Sequence, residues 1–159
     1  MNRNWIIGAA IGGGAFLVNS FVQVDRDSSG AIVEEGSLDA FQMRVGDCFD
    51  DGSAFTEDSS DVDSVPGVPC SKPHDNEVYA VFDVKEKSFP GDGMPDMAQE
   101  ACQARFEAFV GKDYESSSLD IATLYPSRES WQQNDREVIC AVYDLDAKKL
   151  TGSVQGLAL

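Results

Sequence analysis

The chain has 159 residues, enough for one folded domain and a short appendage, and 42% of them are hydrophobic. It contains 28 Asp and Glu against 12 Lys and Arg, a formal net charge of −16. This balance argues against binding to nucleic acid or to anionic lipid headgroups, because both require clustered cations. We interpret the acidity as a soluble, self-repelling surface. The alternative is a surface that steers a basic partner.

The first predicted element is the uncharged run of twenty residues Trp5–Val24. As an α-helix it would be about 30 Å long, enough to cross the hydrocarbon core of a bilayer. Arg3 precedes the run, whereas Asp25 and Asp27 follow it. This charge bias predicts a single-pass protein of the cell membrane, with residues 1–4 in the cytoplasm and the rest extracytoplasmic. A cleaved signal peptide is the alternative for the same run.

Polar and acidic segments follow this run. Residues 25–37 lack periodicity, which predicts a linker between the membrane and a domain at 38–159. The alternation in DAFQMRVGDCF, residues 39–49, predicts a first strand that ends near Cys48. Residues 50–67 are acidic, small and interrupted by proline and glycine, so we expect a mobile surface loop.

Several strands are predicted in the second half of the chain. Residues 76–84 and 136–144 are rich in β-branched and aromatic residues, as expected for two central strands. The run LDIATLYP at 119–126 predicts another strand, and LTGSV at 150–154 predicts an edge strand.

Apolar residues spaced by three and four predict one long helix over residues 95–110, with Gly111 at its C-terminal cap. A short helical turn capped by Ser127 would bring Trp131 onto the core. Together the elements predict an α+β fold, in which an antiparallel β-sheet is packed by one main α-helix.

The four cysteines are Cys48, Cys70, Cys102 and Cys140. They lack the close pairs of ligands that structural zinc sites usually show. An even number of cysteines outside the cytoplasm predicts two disulfides, for which three connectivities are possible. We favour Cys48–Cys70, which would join the ends of the acidic loop, and Cys102–Cys140, which would join the helix to a central strand.

The chain's one histidine, His74, lies four residues after Cys70, and Asp75 and Glu77 follow it. We interpret this stretch as a structural turn, because Pro73 fixes φ and Asp75 can bond back to the backbone. A cysteine nucleophile would need a free thiolate, so no catalytic residue is predicted. His74, Asp75 and Glu77 are the candidate partner-binding residues. A metal site and a catalytic site are the alternatives for the same group.

Two acidic runs begin like an EF-hand loop without completing it. The run from Asp25 has Gly36 where the bidentate Glu belongs, and the run from Asp47 has Phe49 at its third position. We therefore predict no metal site of high affinity and no cofactor. The weak candidates for calcium are Asp47, Asp50, Asp51 and Asp58.

Five blocks, in order, resemble the septum formation domain family. They are VGDCFDD (45–51), VPCSKPHDNEVYAVFDV (68–84), CQARFEAFVG (102–111), LYPSRESWQQNDREVICAVYD (124–144) and KLTGS (149–153). The resemblance implies an actinobacterial, membrane-tethered envelope domain associated with septation in cell division. It implies no active-site residues.

Together these features predict a non-enzymatic, membrane-anchored, extracytoplasmic interaction module. It would act in septum formation or as an accessory subunit of a membrane protein complex, and its partner would be a protein of the cell envelope. The alternative is a cell-envelope enzyme or a divalent-ion-binding module that uses His74 and the neighbouring carboxylates.

Overall fold

The computed structural model describes residues 5–7, 22–52 and 62–159. Within them the chain forms nine strands and two α-helices. In chain order these are β1 (Trp5–Ile7), β2 (Asp25–Arg26), β3 (Ile32–Glu34), β4 (Gly36–Asp39), β5 (Cys48–Phe49), β6 (Ser64–Val68), β7 (Asn76–Asp83), α1 (Met94–Val110), β8 (Leu119–Pro126), α2 (Arg128–Gln132) and β9 (Glu137–Asp144).

Seven strands form one sheet in the order β1-β8-β9-β7-β5-β6-β4, and every neighbouring pair is antiparallel. Strands β2 and β3 form a separate hairpin. The predicted antiparallel sheet with one main helix is therefore confirmed. The long strands β7, β8 and β9 occupy the segments where β-branched and aromatic residues are densest.

Helix α1 packs on one face of the sheet because its apolar residues recur at spacings of three and four. Its buried residues are Met94, Ala98, Cys102, Phe106, Phe109 and Val110. The helix ends at Gly111, whose φ of 86° is the left-handed conformation that glycine adopts readily. The disulfide Cys102–Cys140 joins the helix to β9, as predicted.

The opposite face of β7, β8 and β9 is covered by the segments that precede β7. Leu38 from β4, Phe49 from β5 and Val65 from β6 belong to a buried cluster with Val78 and Ile139. The central strands are thus buried on both faces, which explains their nearly continuous apolar sequence.

Residues 25–37, expected to be a linker, form β2, β3 and the start of β4. Asp27 closes the hairpin turn, since its Oδ1 accepts hydrogen bonds from the backbone of Ser29 and Ala31. Arg26 donates two hydrogen bonds, of 2.6 and 2.7 Å, to Asp47 just before β5. This polar segment is therefore part of the fold, and its charged side chains make the specific contacts.

The continuous strand expected at 39–49 is wrong. Strand β4 ends at Asp39, whose side chain accepts a hydrogen bond from Phe41 N and caps the 3₁₀ turn Ala40–Gln42. The chain pairs again only in the two-residue strand β5, after Gly46 at a φ of 89°. Val45, which the alternation would place on the same side as Met43, is 55% exposed, whereas Met43 is buried.

The end of the expected mobile loop is also part of the sheet, as β6. The carbonyl of Pro66 accepts a hydrogen bond from Asp50 N. A Cβ on Gly67 would lie 2.5 Å from Val24 Cγ1, so glycine permits the close approach of the N-terminal segment. Proline and glycine thus mark tight packing here and do not end the strand. Residues 53–61 of the loop lie outside the described residues.

The expected edge strand at 150–154 does not form. Leu150 makes a single isolated bridge with His74, and Val154 N donates to the carboxylate of Glu77. The C-terminal segment is therefore held by individual hydrogen bonds to the start of β7 and to the turn before it.

Most of the predicted membrane-spanning run Trp5–Val24 lies outside the described residues. Of its ends, Trp5–Ile7 form β1 and pair with β8, and Gln23 makes a parallel bridge with Ser37. In the part of the chain that the structure describes, no helix is long and apolar enough to cross a membrane. The transmembrane helix stays a prediction.

Candidate functional site

Of the candidate site residues, His74 and Asp75 lie in the turn formed by residues 69–75, between β6 and β7, which we call the disulfide turn. Glu77 lies at the start of β7. Cys70 is bonded to Cys48 of β5, as predicted. The C-terminal segment holds the turn through three backbone hydrogen bonds. His74 and Leu150 exchange two of them, at 3.0 and 2.8 Å, and Gly152 N donates the third to Cys70 O at 2.7 Å. The turn is thus tied to two other parts of the chain, β5 and the C-terminal segment.

His74 is buried, with no exposed surface. Its Nδ1 lies 2.8 Å from the carbonyl oxygen of Lys72. Since a carbonyl only accepts, we assign the proton to Nδ1, which leaves Nε2 with a free lone pair. Nε2 is buried and has no hydrogen-bond partner among the described residues. The imidazole is therefore oriented by one nitrogen and unsatisfied at the other.

Glu77 is also buried, at 1% exposure. Its Oε1 accepts a hydrogen bond of 2.6 Å from Ser153 Oγ, and its Oε2 accepts one of 2.7 Å from Val154 N. The ion pairs found between described residues do not include Glu77. Two uncharged donors therefore hold this carboxylate.

Strand pairing places Glu77 opposite Cys48. A ring nitrogen of His74, the Sγ of Cys48 and a carboxylate oxygen of Glu77 all lie within 4.8 Å of one another. While Cys48 is in a disulfide, its sulfur is not a thiolate and cannot serve as a strong metal ligand.

Asp75 differs from its two neighbours because it is partly exposed. Lys149 Nζ lies 2.8 Å from an oxygen of Asp75 and 2.8 Å from one of Asp50. Beside them Asp51 is buried and accepts a hydrogen bond of 2.6 Å from Asn76 Nδ2. Burial raises the pKa of Asp51 to about 6, although the hydrogen bond from Asn76 acts in the opposite direction. Of the three candidate partner-binding residues, only Asp75 presents its side chain to a partner.

The weak calcium candidates have internal partners where the structure describes them. Asp47 is 3% exposed and accepts two hydrogen bonds from Arg26. Asp50 and Asp51 belong to the cluster around Lys149 and Asn76. Asp58 lies outside the described residues. The three described carboxylates are therefore held by side chains of the domain itself.

A shallow depression of about 240 Å³ lies beside the disulfide turn, and we call it the turn-side depression. Its apolar lining comes from Pro66, Val68 and Pro73, and its charged rim from Glu35, Lys72 and Lys149. Lys72 Nζ lies 3.1 Å from Glu35, and both of these side chains are 54% exposed. The depression combines apolar surface with charges of both signs, a composition suited to recognition of a protein surface.

A second, polar cleft of about 340 Å³, which was not predicted from the sequence, lies between α1 and β8. In it Asp120 accepts hydrogen bonds of 2.6 Å from Tyr114 and 2.9 Å from Tyr143. The hydrogen bond to Asp120 raises the pKa of Tyr114 to about 12. Pairing of β8 with β9 sets Asp120 opposite Tyr143. Aligning the two predicted strands in this register would have placed Asp120 and Tyr143 together.

The match to a family model gives the identity. The model described as Septum formation matches residues 45–158, more than two thirds of the chain and a range that contains both disulfides and the disulfide turn. This confirms the resemblance seen in the sequence blocks. Comparison with curated proteins and with solved structures found no match. The chain belongs to the septum formation family.

Proposed function

We propose that this domain, whose family indicates a role related to cell division, is a non-enzymatic interaction module of the outer face of the membrane. It binds a protein of the cell envelope, or of a membrane complex, through the turn-side depression. The observation that carries this proposal is the depression itself, a mixed apolar and charged surface beside a turn that one disulfide and three backbone hydrogen bonds hold to the rest of the domain. A surface held in one conformation loses little entropy when a partner binds.

The state of the reactive side chains supports a binding role. All four cysteines are in disulfides, and the one histidine is buried. The pKa values of Tyr114 and Tyr143 are raised, so their hydroxyls stay protonated at neutral pH. These groups therefore lack the lowered pKa or accessible base that an activated nucleophile needs.

The charge of the chain supports a basic partner. A net charge of −16 attracts a positively charged surface over distances of the order of the Debye length, about 10 Å at moderate salt. Contacts at the depression would then select among basic partners. An association rate that falls steeply with added salt is the expected signature.

The tether is proposed to be the uncharged run Trp5–Val24. Insertion of this run into a bilayer would require Trp5–Ile7 to leave the edge of β8, where they pair. Intact mass of the protein from membranes should retain the run, and a chain that begins near Phe21 would contradict the tether. A cysteine placed at Ser59 should react with a membrane-impermeant thiol reagent in whole cells. Labelling only after lysis would contradict the outer location.

Complementation tests the functional proposal. A strain that lacks the chain should form misplaced or incomplete septa, and the wild-type chain should correct them. Glu35→Lys reverses the exposed negative charge of the rim, so it would repel both Lys72 and a basic partner, and we expect it to fail. Asp146→Lys is the control, since Asp146 is 74% exposed, pairs with Lys148 and does not line the depression.

Both variants must reach the wild-type level with both disulfides formed. Normal septation in the strain without the chain would contradict a role in division. Normal septation with Glu35→Lys would contradict the depression as the binding surface.

A further inference from the structure

We infer that reduction of the Cys48–Cys70 disulfide converts the buried cluster behind the disulfide turn into a zinc site. Its ligands are the two released thiolates, Nε2 of His74 and a carboxylate oxygen of Glu77. This inference does not depend on the proposed partner-binding function.

His74 is already oriented as a zinc-binding histidine. Metal-bound histidines usually donate the hydrogen of the second ring nitrogen to a backbone carbonyl or carboxylate, which fixes tautomer and ring direction. Here Nδ1 makes that contact with Lys72 O, at 2.8 Å. Among the residues that the structure describes, the buried Nε2 has no hydrogen-bond partner. Leaving such a nitrogen unsatisfied costs free energy, and coordination of a cation would remove that cost.

Glu77 provides a second, independent indication. Its carboxylate is 1% exposed and is held by Ser153 Oγ and Val154 N, both uncharged donors. Ion pairs of the described residues leave it without a cationic partner. Buried charges in proteins are usually paired with an opposite charge or coordinate a metal ion. Each carboxylate oxygen also keeps a lone pair after accepting one hydrogen bond.

The spacing fits a tetrahedral ion after small movements of the ligands. Zinc bonds of about 2.0 to 2.3 Å place neighbouring ligand atoms about 3.3 to 3.8 Å apart. The Cys48 sulfur, a ring nitrogen of His74 and a Glu77 oxygen lie within 4.8 Å of one another, so these three need to approach by about 1 Å. The Cys70 sulfur, bonded to that of Cys48 in the disulfide, must move away from it to about 3.8 Å after reduction. Cys70, His74 and Glu77 follow one another closely on the disulfide turn and β7. Cys48, the fourth ligand, lies on the neighbouring strand β5, opposite Glu77.

The two disulfides differ in their exposure and in the metal-ligating groups near them. Cys70 is partly exposed, whereas Cys102 and Cys140 have no exposed surface. A reductant therefore reaches the Cys48–Cys70 bridge first, since thiol–disulfide exchange needs access to a sulfur. Within the described residues, the Cys102–Cys140 bridge is not part of a cluster of metal-ligating groups.

The chemistry balances with a dithiol as reductant. A thiolate of the dithiol attacks the Cys70 sulfur, the Cys48–Cys70 bond breaks, and a mixed disulfide forms. The second thiol of the dithiol then displaces Cys70 and leaves a cyclic disulfide. Two electrons and two protons have passed to Cys48 and Cys70. Zn²⁺ then replaces the two thiol protons, which are released to solvent.

Cobalt(II) and zinc test the inference on the whole chain. The protein is treated mildly with a dithiol, the dithiol is removed, and a thiol assay should count two thiols per chain. One Co²⁺ should then bind per chain. It should give the sulfur-to-cobalt charge-transfer band and the strong d–d absorption of a tetrahedral site, and Zn²⁺ should remove both. The untreated protein should bind at least roughly a hundredfold more weakly, because it lacks both thiolates.

Because His74 is the one histidine, ¹⁵N NMR of the histidine-labelled chain reports on the site without a substitution. The Nε2 resonance should shift on zinc addition to the reduced protein and stay fixed in the oxidised protein. His74→Gln should weaken cobalt binding at least about tenfold and change the d–d absorption, because the two thiolates remain while the imidazole is lost. Its oxidised form should keep the wild-type circular dichroism.

Three results would overturn the inference. They are a reduced wild-type chain without the charge-transfer band, an Nε2 resonance that zinc leaves unchanged, and a chain that unfolds on reduction and stays unfolded with zinc. The NMR measurement uses the wild-type chain, so it tests zinc binding at His74 even if His74→Gln does not fold.

Discussion

The ammonium of Lys149 lies 2.8 Å from the carboxylate of Asp75 and 2.8 Å from that of Asp50. One lysine of the C-terminal segment therefore bridges two carboxylates, Asp75 in the disulfide turn and Asp50 directly after β5. The same lysine forms part of the rim of the turn-side depression. The charge arrangement of the proposed binding surface thus depends on contacts between segments far apart in the chain.

Lys149→Ala should destabilise the fold modestly. Its side chain is 38% exposed, and exposed ion pairs typically contribute about 0 to 1 kcal/mol, so we expect a loss of about 0.5 to 1 kcal/mol in the free energy of unfolding. Urea unfolding measures it. Lys148→Ala should change this free energy by less, since both Lys148 and Asp146 are at least 70% exposed. Equal losses for the two variants would contradict the bridging role of Lys149.

Asp51 should make the fold less stable as the pH rises from about 4 to about 6. Burial raises the pKa of Asp51 to about 6 in the folded protein, whereas an unfolded aspartate has a pKa of about 3.9. Between these values the folded state keeps the proton and the unfolded chain has released it, so stability falls with rising pH. A difference of about two pKa units corresponds to a loss of about 2 to 3 kcal/mol in the free energy of unfolding.

Asp51→Asn isolates this effect, because it removes the titration and keeps an oxygen that accepts from Asn76 Nδ2. The difference in unfolding free energy between variant and wild type should shift by about 2 to 3 kcal/mol in favour of the variant between about pH 4 and pH 7. Chemical denaturation at several pH values measures this difference. The other carboxylates contribute equally to both proteins, so their contributions cancel. A difference that is independent of pH would show that Asp51 titrates normally.

Strand positions and disulfides could be predicted because they depend on local patterns. The runs at 76–84, 119–126 and 136–144 carry enough β-branched residues to predict β7, β8 and β9 directly. The helix period put Cys102 on the buried face of α1, and alternation put Cys140 inside β9. The connectivity of both bridges followed from these placements.

The N-terminal part could not be predicted because its order depends on contacts between distant residues. The hairpin of β2 and β3 is polar, and Arg26 fixes it through Asp47, a contact without a local signal. Pro66 and Gly67 resembled loop residues, yet the absence of a side chain at Gly67 makes room for Val24. The burial of His74 and Glu77 likewise arises from the C-terminal segment that covers them.

Asp120→Asn should lower the pKa of Tyr114. That pKa is raised to about 12, first by the hydrogen bond to Asp120. The pKa of Tyr143 is raised first by burial and then by Asp120, so it should fall less. Near-ultraviolet titration of tyrosinate, with circular dichroism to follow the fold, measures both. Tyr114→Phe assigns the Tyr114 transition, and an unchanged titration in Asp120→Asn would contradict the described hydrogen bonding.

The most direct test of the account is photocrosslinking in living cells from position 72, on the rim of the turn-side depression, with position 148 as the exposed control. A photoreactive residue at position 72 should give one discrete adduct with a second protein, and that adduct should weaken when Asp75→Lys is added. Position 148 should not give it. No discrete adduct from position 72, or the same adduct from both positions, would contradict a partner-binding surface beside the disulfide turn.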